Sequence, residues 1–387
     1  MTRIYLDHNA TGPLRPAARD AMLAALDLVG NPSSVHAHGR ASRGVVEAAR
    51  AQVAGLVGVQ SRQVVFTSGG TEAAGLALTP HMSAGGLRPT RLFVSAGEHP
   101  CVLTGGRFAP DAIEILPLRR DGVFDLDALR ARLAALPAGE IPMLALQAAN
   151  NETGVLQPVA EAAALVRARG GVTICDAVQA AGRIPVSFQA LGADALILSA
   201  HKFGGPKGVG ALVIDASQLH IEEALVRGGG QERGLRGGTE NVAGIAGFGA
   251  AAKEAAAAAA EAVRISALRD GMERVLRARF ADMTFFGDEA ARLPNTSAFA
   301  FPGLSAETLL ISLDLAGVSL SSGSACSSGK VRPSHVLSAM GVSPDLAKGA
   351  LRVSMGWTTT PADAEGLCGA LEKAVSSMRT RRDRPAA

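Results

Sequence analysis

The chain has 387 residues, 48% of them hydrophobic, with 38 Lys and Arg against 35 Asp and Glu. That length suits one large α/β domain with a smaller companion, and a net charge of only +3 leaves no footprint for nucleic acid. The opening MTRIYLDHNAT lacks an apolar core of signal-peptide length and no stretch approaches a membrane span, so a cytoplasmic setting is expected.

In chain order, short β-branched runs alternate with helical patterns. QVVFT at 63–67 reads as a strand, followed by a Gly-Gly turn and a helix opening near Thr71. Further strands are expected at RLFVSA (91–96), IEILPL (113–118), MLALQAA (143–149), VTICDAV (172–178), ALILSA (195–200) and GALVID (210–215). Helical stretches such as DLDALRARLAAL and PVAEAAALVRARG lie between several of them. Such alternation implies a mostly parallel sheet with helices on both faces, and ligands then sit at the carboxyl ends of the strands.

Beyond the glycine-rich GGGQERGLRGGTEN (228–241), one long helical region is expected over 242–280. The texture then changes to short strands at MTFFG, TSAFAFPG and VSL, a helix at SAETLLISLDLAG, the loop SSGSACSSGKVRPS, a strand at ALRVSMGW and a last helix starting at Thr360-Pro361. These suggest a smaller α+β unit. The expected division is 1–250 for the large unit and 251–387 for the small one, with the N-terminal residues returning to pack on the latter.

The four cysteines, Cys101, Cys175, Cys326 and Cys368, form no CxxC pair and no Cys/His cluster at zinc spacing. No metal site is expected. Cys175 lies inside a strand, Cys368 in the apolar periodicity of the last helix, and Cys101 just after a proline at a helix start; all three read as small buried residues. Cys326 differs. Its neighbours are Ser, Gly and Ala, with Lys330 and Arg332 close behind, a setting that permits exposure and favours thiolate.

Four strand ends besides that of Lys202 carry polar residues that could converge. Gly70 and Thr71 open a helix after a glycine turn, which makes an anion cradle. Asp176 ends another strand with Gln179 three residues on, and His99 and the Asn150–Glu152 turn follow two more. Lys202 sits after ALILSA in SAHKFGGPKG. Pyridoxal phosphate needs this set: a Schiff-base lysine, a carboxylate facing the pyridinium nitrogen, a cradle for the phosphate and a planar side chain over the ring.

The chain resembles the cysteine desulfurases, pyridoxal-phosphate enzymes related to class V aminotransferases, and most closely their subgroup for iron–sulfur assembly and nitrogenase maturation. The resemblance rests on YLDHNAT, GNPSSVHAHGR, VFTSGGTE, EHP, NNETG, DAVQ, SAHKFGGPKG, GGGQERGLRGGTEN, SSGSACSSG and LRVSMGW, in order along nearly the whole chain. It implies an aminotransferase-like (fold type I) large domain with a small C-terminal domain. It also implies that Lys202 carries the cofactor, His99 stacks on the ring and moves protons, Asp176 partners the ring nitrogen and Gln179 bonds the ring hydroxyl. Gly70, Thr71, Ser199 and His201 match the phosphate site, and Thr239 a threonine that reaches it from the other subunit of a homodimer. Asn151 and Arg352 resemble the holders of the substrate carboxylate, and Cys326 the cysteine that receives sulfur from L-cysteine and passes it to an acceptor protein such as an iron–sulfur scaffold. Gly12 departs from the family, which often shows a second threonine there. The alternatives are a selenocysteine lyase or an aminotransferase of the same fold, although a transaminase has no use for a loop thiol. A non-catalytic scaffold would have no use for Lys202, Asp176, His99 and Cys326 together.

Overall fold

The structure is a computed structural model that describes residues 3–257, 259–322 and 334–382. Cys326, with Lys330 and Arg332, lies outside the described residues.

All seven strands expected before residue 216 belong to one sheet. Their spatial order is Val64–Thr67, Gly210–Ile214, Ala195–Ser199, Val172–Asp176, Pro142–Gln147, Arg91–Ser95 and Ile113–Leu116. Only Gly210–Ile214 runs against the others. The expected mostly parallel α/β sheet is therefore what the chain forms. Its central strands are buried along their whole length, which explains why they read as continuous apolar runs rather than alternating ones. Because six strands share a direction, the segments after Thr67, Ser95, Gln147, Asp176 and Ser199 emerge along one edge of the sheet.

A second sheet, antiparallel throughout, takes its strands in the order Thr284–Phe286, Thr296–Ala300, Ala350–Ser354 and Ser321–Ser322. It has its own core, including Leu6, Phe285, Phe299, Phe301, Leu351 and Leu371. The start of the chain joins this part: Ile4–Tyr5 pairs in parallel with Val318–Ser319, and Asp7 bridges to Ser354. Residues 8–11 consequently lie where the two cores meet.

The single helical region expected over 242–280 is two helices, Val242–Ala255 and Ala259–Arg279. Each serves a different core. Phe248, Ala251 and Ala252 of the first bury with the main sheet, whereas Ile265, Met272 and Leu276 of the second bury with the C-terminal sheet. The first is lined with small residues because it is crossed at close quarters. A Cβ on Gly249 would stand 2.5 Å from the Cα of Ala49 in the helix Ala37–Val57.

Candidate active site

The strand ends surround a cavity of about 220 Å³ lined by Gly70, Thr71, His99, Asn151, Asp176, Gln179, Ser199, His201 and Lys202, together with Cys101, Gln147, Ala149 and Val178. Residues up to 132 positions apart in sequence, from Gly70 to Lys202, thus share one wall. Two expected members do not line it, and a third cannot be placed against it. Arg352 is one contact away, Thr239 is exposed on the glycine-rich segment, and Cys326 is outside the described residues.

Lys202 is placed by a turn of 3-10 helix, Ala200–Lys202, directly after its strand. Gly204 lets the chain leave it: its φ is +93°, and a Cβ there would stand 2.6 Å from Cγ of Arg15. The amine donates to the carbonyls of Asn9 at 2.8 Å and Ala10 at 3.0 Å. The same Asn9 carbonyl accepts from Nε2 of Gln179 at 3.0 Å. Asn9 itself is buried and spends every polar atom. Its N–H goes to Ser354, Nδ2 to the Asn151 carbonyl and Thr296, and Oδ1 accepts from Asn295. The N-terminal segment is therefore the bolt between the cavity and the second sheet.

Opposite, the helix Gly70–Ala77 points its first backbone N–H groups at the cavity. Glu72 in its first turn accepts from the Ser68 N–H and pairs with Arg236 at 3.1 Å, which steadies this end. Asp176 accepts from the Val178 N–H at 2.9 Å, yet burial pushes its carboxyl up to about 6 against that bond and the Lys202 charge. A cation brought opposite would return it to carboxylate.

Burial, with Lys202 and His335 adding to it, lowers His99 to about 4, so the imidazole is neutral at pH 7. The N–H of Cys101 donates to its Nδ1 at 3.2 Å, which makes Nδ1 the acceptor and leaves the ring proton on Nε2. Cys101 corrects an expectation. The helix start after Pro100 is there, but the thiol is only partly buried and lines the cavity, with Sγ 3.0 Å from His99 Nδ1. Burial and the nearby Asp176 push this thiol up to about 12, so it is no thiolate. Cys175 and Cys368 are buried as expected.

These residues fit the expected cofactor. His201 Nδ1 is buried beside the helix N-terminus without a hydrogen-bond partner among the described residues, and it is available to a phosphate oxygen. The amine, the buried carboxyl and the planar ring of His99 stand around the same space. Arg352 is 2% exposed; its Nη2 bonds Asp7 at 2.7 Å and its Nη1 the Asn151 carbonyl at 3.1 Å, while its Nε has no partner among the described residues. No group of three or more metal-ligating side chains occurs among the described residues.

Two carboxyls give no sign in the sequence that they are buried. Glu98 accepts from the Gln147 N–H at 2.6 Å, and burial beside Asp176 raises it well above the usual carboxyl range. Glu152 accepts from the hydroxyl of Ser334, which also caps the helix His335–Ala339, and burial raises it to about 7. Only the fold shows that these acids face no water. For Glu152 the folded chain holds its proton up to about pH 7, the unfolded chain only to the ordinary 4.5. Its contribution to stability is therefore full below pH 4.5 and lost as the pH rises to 7, by up to about 3 kcal/mol. Glu152→Gln should flatten that dependence. Its unfolding midpoint should change less than the wild type's between pH 5 and pH 8, and an unchanged slope would contradict the assignment.

A family model described as aminotransferase class-V matches residues 4–367. The chain is 41% identical over 385 residues to a protein of Cereibacter sphaeroides named cysteine desulfurase, covering 98% of this chain and 97% of that one. It is 39% identical over 383 residues to the cysteine desulfurase IscS of Dictyoglomus turgidum, covering 97% and 95%. The X-ray structure of a NifS-like protein from Rickettsia africae superposes with a TM-score of 0.87 at 34% identity, covering 97% of this chain and 99% of the other.

Proposed function

The chain belongs to the aminotransferase class-V family, and from that premise we propose that it is a pyridoxal-phosphate-dependent cysteine desulfurase. L-cysteine is converted to L-alanine, and its sulfur is left as a persulfide on Cys326. The observation that carries this reading is the convergence of Lys202, Asp176, His99 and the Gly70–Thr71 helix start on one cavity.

Lys202 would hold the cofactor, Asp176 its ring nitrogen, Gln179 its ring hydroxyl, His99 its face, and Gly70, Thr71, Ser199 and His201 its phosphate. Pyridoxal phosphate bound there supplies an electron sink for the carbon that loses a proton. Asn151 and Arg352 would orient the substrate through its carboxylate; Arg352 Nε has no hydrogen-bond partner among the described residues. Lys202 Nζ would take the proton from the substrate Cα. His99, neutral with its proton on Nε2, would donate a hydrogen bond to the substrate as protons move beside it. The Cys326 thiolate attacks the substrate sulfur: an S–S bond forms, the Cβ–S bond breaks, and its electron pair takes up a proton to complete alanine. Cysteine plus enzyme thiol thus gives alanine plus enzyme persulfide, with no outside oxidant.

Thr239, exposed and away from its own chain's cavity, would serve the phosphate of a second copy in a homodimer with shared sites. Residues 1–250 would form the cofactor unit and 251–387 the unit carrying Cys326. No described helix is long and apolar enough to cross a membrane. A cytoplasmic enzyme delivering sulfur to an iron–sulfur scaffold or similar acceptor fits this chemistry.

With L-cysteine and a thiol reductant, the purified protein should release alanine and sulfide in equal amounts. An amino-group transfer to a keto acid, with no sulfide, would replace this reading by the aminotransferase one.

A further inference from the structure

Arg183 does not line the cavity, yet it is buried and its four hydrogen-bond acceptors are all neutral. Nη1 donates to the carbonyl of Gln179 at 2.6 Å and to its Oε1 at 2.7 Å; Nη2 donates to the carbonyls of His8 at 3.0 Å and Lys202 at 3.1 Å. Holding a cation this way is costly, and burial with Arg352 nearby lowers its pKa to about 9. The consequence falls on Gln179. A guanidinium has no acceptor, so the side-chain atom it meets must be the amide oxygen. The opposite end of that amide faces the Asn9 carbonyl, which can only accept, so that atom must be the nitrogen. Two independent partners thus force one orientation. One hydrogen of Nε2 is spent on Asn9, and the other is the polar group Gln179 has left for the cavity it lines.

We propose that Arg183 is a positioning residue that locks the Gln179 amide so that it always offers N–H, and never C=O, to the ring hydroxyl oxygen of the bound cofactor. This rests on the pyridoxal-phosphate reading. A donor fixed there favours the ionised ring oxygen and weakens its hold on the proton of the neighbouring nitrogen contributed by Lys202. Arg183 thereby tunes the cofactor without touching it. Around this network stand His8, Arg15, Lys202, His201 and Arg352, with Asp176 across the cavity, and they are common to all the variants below.

The test is a pH titration of the visible absorbance band of the cofactor-loaded protein without substrate. Arg183→Met leaves the amide held by the Asn9 carbonyl alone, which loosens the N–H it offers, and the midpoint should rise by up to about one pH unit. Losing a cation would act in the same direction, so the substitution is repeated in a Gln179→Met background, where it should add nothing. A midpoint unchanged by Arg183→Met, or a full shift persisting without Gln179, overturns the proposal. If Arg183→Met does not fold, Arg183→Gln carries the same cycle. A wild type without a band that depends on Lys202 would instead fail the pyridoxal-phosphate reading itself.

Discussion

Cys326→Ala should still bind the cofactor and respond to L-cysteine with a change in visible absorbance, while alanine and sulfide release falls on the order of a hundredfold or more. The groups proposed to hold the cofactor and move the Cα proton are Lys202, Asp176, His99 and the Gly70–Thr71 cradle, and none involves this thiol. What the variant lacks is the proposed acceptor for sulfur. The other thiols cannot replace it. Cys175 and Cys368 are buried, and Cys101 is held protonated by burial. The described residues on either side of the Cys326 segment are anchored near the cavity. Ser321 and Ser322 pair with Arg352 and Leu351, Ser334 bonds Glu152, and His335 Nε2 lies 2.9 Å from the Glu98 carbonyl. Near-normal alanine formation by this variant would remove the persulfide mechanism on Cys326 and leave a lyase.

Lys202→Ala should lose turnover altogether within detection, because one side chain has two tasks. On the proposed reading it holds the cofactor covalently and supplies the base that removes the Cα proton. Cofactor supplied to the variant should wash out on dialysis, and borohydride treatment should fix none of it to the protein. In the wild type the same treatment followed by peptide mapping should mark Lys202. The exposed Lys207, in the same glycine-rich turn, is the control. A mark on Lys207 instead would overturn the assignment of the cofactor lysine.

Much of the fold and of the site is legible in the amino-acid sequence. Strands buried on both faces are largely apolar, so the central runs of the main sheet stand out, and chemistry in a parallel sheet belongs at strand ends. Short pairings give no such signal. Met82–Ala84 and Leu219–Ile221 form an antiparallel pair too brief for any period to emerge. The alanine-rich stretch over 242–280 announces helix but not its break, since the break comes from serving two cores. At the site, residues that act through side-chain type at a strand end are readable. Asn9 and Arg183 are not, because their roles lie in backbone carbonyls and side chains contributed from far along the chain. Cys101 misleads for a related reason: its proline-led helix start is real, but that helix opens onto the cavity.

Sulfur transfer to Cys326 can be read directly by mass. The cofactor-loaded wild type is given L-cysteine without reductant, its free thiols are alkylated, and its peptides are mapped. One additional sulfur atom should appear on the peptide carrying Cys326, together with one alanine released per sulfur bound, and reductant should remove it. Sulfur found instead on Cys101, Cys175 or Cys368, or alanine formed with no sulfur retained on Cys326, would contradict the account.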